Sequence, residues 1–394
     1  MTTPSEFLVN TDHNSEARLV RCDSGRILML WRLDPGAGGD HTGVTGYIAS
    51  RYSDDGGATW TATASAYSDA SYDDRNLCVG VIPSGANEGR VVALFRRYDV
   101  STGDTYDICS IHSDDEGVTW SSATSHAAPA EVPDFVPSPA PTMTGAPGLG
   151  FPMYGHSADN TDWRCFLWWT TDGVTFGTKA QTIASADSDA PYKLSESTYA
   201  DIGDGKTLFA CRNANTYTNL GVTFSIGESG TYSTPERATT VPAYWITAPQ
   251  LHVIGDLVYL LTCDRRASEP NASNQDSCVW VYTSTPARLV ADVTDWTLLD
   301  QITRPVPSDY VFYGYPSLVQ TASGGILVVF TERTHSGATE DAWLYSFTMV
   351  PPPYSVTATL TPTGAQVCWS HDGGADGFVV ERQVDGGSWT QVYP

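Results

Sequence analysis

The chain has 394 residues, with 45 Asp or Glu against 21 Lys or Arg, a formal charge of −24. That balance excludes recognition of nucleic acid through its phosphates, which needs a basic face. The 41% apolar share, with 12 Trp and 20 Tyr, excludes a disordered acidic tail and describes a packed protein. No apolar run reaches the roughly 18 residues of a membrane span, so no membrane insertion is expected.

From the N-terminus, MTTPSEFLVNTDHN has neither a basic start nor an apolar core, so no classical secretion signal is expected. Short apolar runs follow: GRILMLWR, GRVVALFRR, KTLFACRN, DLVYLLTC, CVWVYTS and GILVVFTE. Gly, Asp, Asn and Pro separate them, a pattern that predicts many short strands and an all-β sandwich, barrel or propeller. The eight Cys form no CxxC and lie in these runs, which predicts buried thiols; Cys263 and Cys278 are placed to pair across a hairpin. No His lies at metal-ligand spacing, and no metal or cofactor is called for.

An internal repeat organises these runs. Ser53–Trp60 (SDDGGATW) and Ser113–Trp120 (SDDEGVTW) both fit S-x-D-x-G-x-T-W, and Thr170–Phe176 (TTDGVTF) is a shortened copy; the copies begin 60 and 57 residues apart. In each copy Asp accepts hydrogen bonds from turn amides and Gly supplies an unusual backbone angle, a structural role. A second register links a turn Gly to a polar residue seven positions on: Gly25 to Arg32, Gly89 to Arg96, Gly205 to Arg212, and Gly325 to Glu332. Together they define six units near 15–60, 72–120, 136–176, 190–236, 243–290 and 310–348.

These motifs resemble the Asp-box of the sialidase-like (BNR/Asp-box) β-propellers. The resemblance implies a six-bladed propeller of four-stranded antiparallel blades over residues 1–349. Residues 350–354 (VPPPY within MVPPPY) read as a stiff Pro-rich linker. Residues 355–394 look like the first strands of a fibronectin type III-like sandwich, about half such a domain, either truncated or packed on the propeller.

The resemblance is most specific in two tracts. Ser195-Glu196-Ser197-Thr198, then Asp204-Gly205 and Cys211-Arg212-Asn213, is similar to the family's fourth blade. Tyr315-Pro316-Ser317-Leu318, then Gly325 and Phe330-Thr331-Glu332, is similar to its sixth. By that resemblance Tyr315 is the nucleophile, Glu196 its base, Arg212 one of three Arg clamping a substrate carboxylate, and Glu332 the group that orients the first Arg. A sialoside carries a carboxylate on its anomeric carbon, so a neutral phenol avoids the repulsion an anionic nucleophile would meet.

Elsewhere the sequence departs from the family. Arg18 is the nearest match to the first clamp Arg, although ungapped alignment on Gly25 puts Ser15 there. Asp40 is the candidate acid/base, with Asp34 beside it, and the usual D-I-x-L tract reads Gly46-Tyr47-Ile48-Ala49. Arg265 or Arg266 is the third Arg. Arg32, Arg96 and Arg97 share strand ends equivalent to Arg212. The tract Tyr72-Asp73-Asp74-Arg75-Asn76 opens the second unit as Glu196 opens the fourth, making Asp74 a second candidate acid and Arg75 a further substrate contact. His156 and Trp163 are candidates to shape a sugar pocket, and Asn271-Ala272-Ser273 is a glycosylation sequon.

Three functions follow as expectations. The first is a retaining exo-glycoside hydrolase of acidic sugars, most directly an exo-sialidase. The second is a non-catalytic glycan-binding propeller, such as a phage-tail or cell-surface adhesion module, extracellular or virion-associated and assembling through the C-terminal segment. The third is a hydrolase or lyase of uronic acids on the same scaffold. All three expect an acidic glycan as partner and a positive pocket in a negative protein.

Overall fold

A computed structural model describes residues 5–8, 13–35, 46–127, 134–145, 148–156, 162–177, 180–186, 194–213, 221–228, 231–234, 236–238, 241, 246–264, 279–302, 311–336, 339–349, 354–361, 364–370, 380–382 and 390–393. The strands are β1 (Ser5–Leu8), β2 (His13–Arg21), β3 (Ile27–Asp34), β4 (Tyr47–Ser53) and β5 (Ala64–Tyr67). Next come β6 (Asp73–Val81), β7 (Val91–Asp99), β8 (Asp104–Ser113) and β9 (Thr124–His126). A third group holds β10 (Asp134–Pro137), β11 (Met143–Gly145), β12 (Gly148–His156), β13 (Asp162–Thr170) and β14 (Ala180–Ala186). A fourth holds β15 (Leu194–Asp201), β16 (Lys206–Asn213), β17 (Val222–Glu228), β18 (Thr231–Tyr232) and β19 (Glu236–Arg237). A fifth holds β20 (Ile246–Ile254), β21 (Leu257–Asp264), β22 (Val279–Ser284) and β23 (Thr297–Ile302), with helix α1 (Pro286–Ala291) before β23. Last come β24 (Val311–Gln320), β25 (Ile326–Ser336) and β26 (Thr339–Met349).

These strands form an all-β propeller of small, mainly antiparallel sheets. The sequence predicts six separate blades, but the described strands of the propeller form five sheets. A parallel bridge from His13 to Ala342 joins β2–β5 to β24–β26 in one eight-stranded sheet, and β1 pairs with the outer edge of β26. Beyond the propeller, β27 (Tyr354–Thr361) pairs with β28 (Gly364–Ser370), and β29 (Val380–Arg382) with β30 (Thr390–Tyr393).

Alternation along the strands explains the packing, since successive side chains face opposite neighbours. In β3, Met29 and Trp31 pack with Leu327 and Val329, while Leu28 and Leu30 pack with Val79 and Phe95 of the second group. Six apolar clusters of this kind are present. The repeated turns tie in at the rim. Gly57 and Gly117 take left-handed φ of 97° and 88°, and their amides donate to Ser53 and Ser113 Oγ at 2.8 Å. Asp55 and Asp115 each accept the Thr amide four residues on at 2.8 Å, the structural role expected of them. Cys263 is a buried free thiol, and Cys278 lies outside the described residues, as does Asn271.

The C-terminal ends of β2, β6, β15, β20 and β24, with residues 141–144, surround a cavity of about 410 Å³. Their N-terminal halves carry the feature that builds the site: β2, β6, β15, β20 and β24 each advance three residues while their partner advances two. The bulges fall at Glu16-Ala17, Asn76-Leu77, Ser195-Glu196, Ala248-Pro249 and Tyr315-Pro316. A bulge bends the strand and re-aims its side chains. Glu16, Asn76 and Tyr315 take left-handed φ of 59°, 56° and 49°, costly conformations for side chains of this size. Two of the bulges hold Pro, which cannot donate to the ladder and is tolerated where a ladder bond is already missing.

The sequence register needs one correction. The left-handed turn residue in the last group is Gly324, with φ of 88°. Its turn closes from Thr321 N to Gly325 O, as Cys22 N closes on Arg26 O around Gly25. Thr331 is therefore the counterpart of Arg32, Arg96 and Arg212, and Glu332 is one residue further.

Candidate active site

Two bulges bring Tyr315 and Glu196 together from strands 119 residues apart. Tyr315 Oη donates to Glu196 Oε1 at 3.0 Å. The other carboxylate oxygen accepts from Arg212 Nη1 at 2.9 Å and from the Ala248 amide, in the bulge of β20, at 3.2 Å. Glu196 and Tyr315 are buried, while the Arg212 side chain is 25% exposed. Burial opposes the charge on Arg212, but the Glu196 carboxylate more than offsets this and raises its pKa. Arg212 Nε has no hydrogen-bond partner among the described residues.

Tyr154 on β12 borders the same group, and the sequence reading did not single it out. Burial raises its phenol, Glu196 and Tyr315 add to that, and Arg96 and Arg212 oppose it. Its only signal was its place two residues before His156 on one strand face. Arg96 donates to Thr105 Oγ1 at 3.1 Å and lies 4.8 Å from the Tyr98 ring. Arg97 turns away, to Asp69 at 3.0 Å and to Asp107. The His156 and Trp163 rings pack 5.1 Å apart on β12 and β13.

Three further candidate residues, Arg32, Arg75 and Arg18, are engaged inside the protein. Arg32 is fully buried; its Nε and Nη2 donate to Asp73 at 2.7 and 3.0 Å, and Nη2 also reaches Asp34 at 3.3 Å. Arg75 is buried 3.8 Å from Asp73 and 4.0 Å from Glu16. Arg18 is buried as well: it donates to Gln250 Oε1, to Tyr315 O at 2.6 Å and to Glu16 O at 3.4 Å. Ser15 holds the position where ungapped alignment expects the first clamp Arg.

Asp74 is sealed from solvent. Burial pushes its carboxyl up to about 8; its Oδ2 accepts the Asp69 amide, and its Oδ1 has no hydrogen-bond partner among the described residues. Gly46 stands against the buried ion pair: a Cβ there would lie 2.0 Å from Asp73 Oδ1. Asp40, Arg265 and Arg266 lie outside the described residues, as does the side chain of Glu332, whose backbone pairs with Tyr313 and Trp343.

Among the described residues no group of three His, Cys, Asp or Glu is placed to hold a metal ion, and no helix is long and apolar enough to cross a membrane. A buried phenol bonded to a carboxylate, beside a partly exposed guanidinium, is equipped to lose a proton to that carboxylate next to a bound anion.

No family model and no curated protein matches the chain. Solved structures do. A protein of unknown function from Dyadobacter fermentans superposes with a TM-score of 0.69 at 13% identity, over 88% of this chain and 98% of that one. The NanB sialidase of Streptococcus pneumoniae, in complex with a chlorobenzylammonio-ethanesulfonate, gives 0.62 at 12% identity, over 88% and 70%. Trypanosoma rangeli sialidase gives 0.62 at 13% identity, over 87% of this chain and 57% of that one. The likeness is one of fold: a sialidase-like β-propeller.

Proposed function

We propose that this protein is a retaining exo-glycosidase of acidic sugars, most directly a sialidase, with Tyr315 as nucleophile and Glu196 as its base. The observation that carries the proposal is the 3.0 Å hydrogen bond from the Tyr315 phenol to the Glu196 carboxylate. In the first step Asp40 protonates the leaving oxygen while Tyr315 Oη attacks the anomeric carbon and its proton passes to Glu196. In the second, water attacks that carbon, Asp40 takes the water's proton, and the phenolate recovers its own from Glu196. Arg212, whose Nε has no hydrogen-bond partner among the described residues, holds the substrate carboxylate. Arg96 and Arg265 complete the clamp, and Glu332 orients it. Two sialidases among the structures of the same fold support the reading.

The same proposal counts the eight-stranded sheet as two blades, six in all, supported by the six apolar clusters. It takes the two C-terminal hairpins as part of a fibronectin type III-like module, in a protein that works outside cells or on a virion.

One observation favours the alternative of glycan binding without turnover: Arg18, Arg32 and Arg75 are all buried on internal partners, which thins the clamp. The two readings separate on a panel of sialosides and uronosides, assayed for released acidic sugar beside binding on a glycan array. Hydrolysis that falls at least 100-fold in Tyr315→Phe supports the enzyme. Binding without release, unchanged by Tyr315→Phe, supports the adhesion module.

A further inference from the structure

We infer that Arg18 is a positioning residue, a brace that holds the bulge presenting Tyr315 and, through Gln250, the bulge of β20 whose Ala248 amide holds the Glu196 carboxylate. The inference rests on the hydrolase reading above. Both arms of its guanidinium are committed: Nη2 donates to the Tyr315 carbonyl at 2.6 Å, and Nη1 to Gln250 Oε1. Gln250, fully buried, passes the tie on: its Nε2 donates to Ala248 O and to Pro139 O, each at 2.8 Å. The Ala248 amide in turn donates to Glu196. One side chain of β2 thereby fixes the nucleophile's own peptide and, through one amide, the peptide that holds the base.

The setting explains why a brace is needed. Tyr315 sits at φ 49°, a conformation a bulky residue keeps only where its surroundings over-determine it. The adjacent contact, from the Leu19 amide to Ser317 Oγ at 3.0 Å, ties the same two strands together. Arg18 ends on carbonyl oxygens rather than on a carboxylate, and burial pulls its pKa down to about 10. A planar fork matches two fixed oxygens on different strands as a single ammonium does not. At 2% exposure, with its arms engaged, Arg18 has no face to offer a substrate carboxylate.

The test compares Arg18→Met, close in volume and uncharged, with Arg18→Lys, which keeps the charge but reaches one acceptor at a time. Three quantities are read: kcat, KM, and the 13Cζ resonance of Tyr315, assigned with Tyr315→Phe, which reports the hydrogen bond of its hydroxyl. A reacting group misplaced by about 1 Å loses roughly 100-fold in rate. The expected result is a 10- to 100-fold fall in kcat for Arg18→Met, KM within about threefold, and a shifted or broadened Tyr315 resonance. Arg18→Lys should fall between it and the parent, and carries the test if the Met variant does not fold. A clamp residue would instead raise KM for the acidic sugar at least tenfold and leave the resonance in place, overturning the inference. An unmoved resonance with unmoved kcat overturns it too. If the parent hydrolyses nothing, the hydrolase reading fails on its own, and the Tyr315 resonance still decides the brace.

Discussion

Replacing Glu196 by Gln preserves shape and removes one negative charge at the centre of the site. The parent carboxylate accepts from Tyr315 at 3.0 Å, from Arg212 at 2.9 Å and from the Ala248 amide at 3.2 Å. A carboxamide has one acceptor oxygen. Given to Arg212 and Ala248, it turns the NH2 group toward Tyr315 Oη, so the phenol meets a donor and has nowhere to send its proton. Loss of a general base costs about 10²–10⁴ in rate, or roughly 3–5 kcal/mol of transition-state stabilisation. Stability should change far less. Arg212 loses a charge-assisted bond worth about 1.5–3 kcal/mol, but water reaches its partly exposed side chain and offsets part of that, leaving about 1 kcal/mol. The assay is kcat/KM on a fluorogenic acidic glycoside, run beside a urea titration. A folded Glu196→Gln protein that hydrolyses within threefold of the parent would refute the base assignment.

Four further outcomes follow from the same geometry. The Asp74 carboxyl, raised by burial to about 8, binds its proton in the folded state while the unfolded chain has released it above 3.8, so its contribution to stability declines as pH rises between those values. Urea titrations should show ~3–4 kcal/mol of the parent's decline between pH 5 and 8 absent from Asp74→Asn, and equal slopes would contradict the buried acid. Gly46→Ala drives a methyl into the Arg32–Asp73 pair and should cost about 3–5 kcal/mol of unfolding free energy; a neutral change would mean the pair is not sealed there. Gly117→Ala combines a φ of 88° with a Cβ 2.5 Å from Leu28, and should lower stability by about 2–4 kcal/mol in the same measurement. Arg212→Met should weaken binding of an acidic sugar about 10- to 100-fold, measured by calorimetry, while sparing a neutral analogue.

Much of the fold was legible because its signals are local. The S-x-D-x-G-x-T-W turns fold on themselves, with Ser, Asp and Thr bonding within five residues of one another, so their spacing alone marks successive groups of strands. The alternation of apolar residues in β3 likewise marks both packing faces before any partner is known. Ring closure was not legible in this way. The bridge from His13 to Ala342 and the pairing of β1 with β26 join opposite ends of the chain, and no local pattern records them.

The same division runs through the site. Resemblance in two short tracts was enough to single out Tyr315, Glu196 and Arg212, which the structure brings into one hydrogen-bonded group. For the other Arg residues, sequence by itself determined only that they stand at strand ends; whether a guanidinium meets solvent or a buried carboxylate depends on the neighbouring strand. Arg32 is consumed by Asp73, 41 residues away, and Arg18 by Gln250, 232 residues away. The Gly324 turn makes the same point at the scale of one residue, since it makes Thr331, not Glu332, the register counterpart of Arg32. What only tertiary structure decided is which charges are already neutralised inside the protein, because Coulomb partners and burial are set by the packing of distant strands and not by the order of residues along one of them.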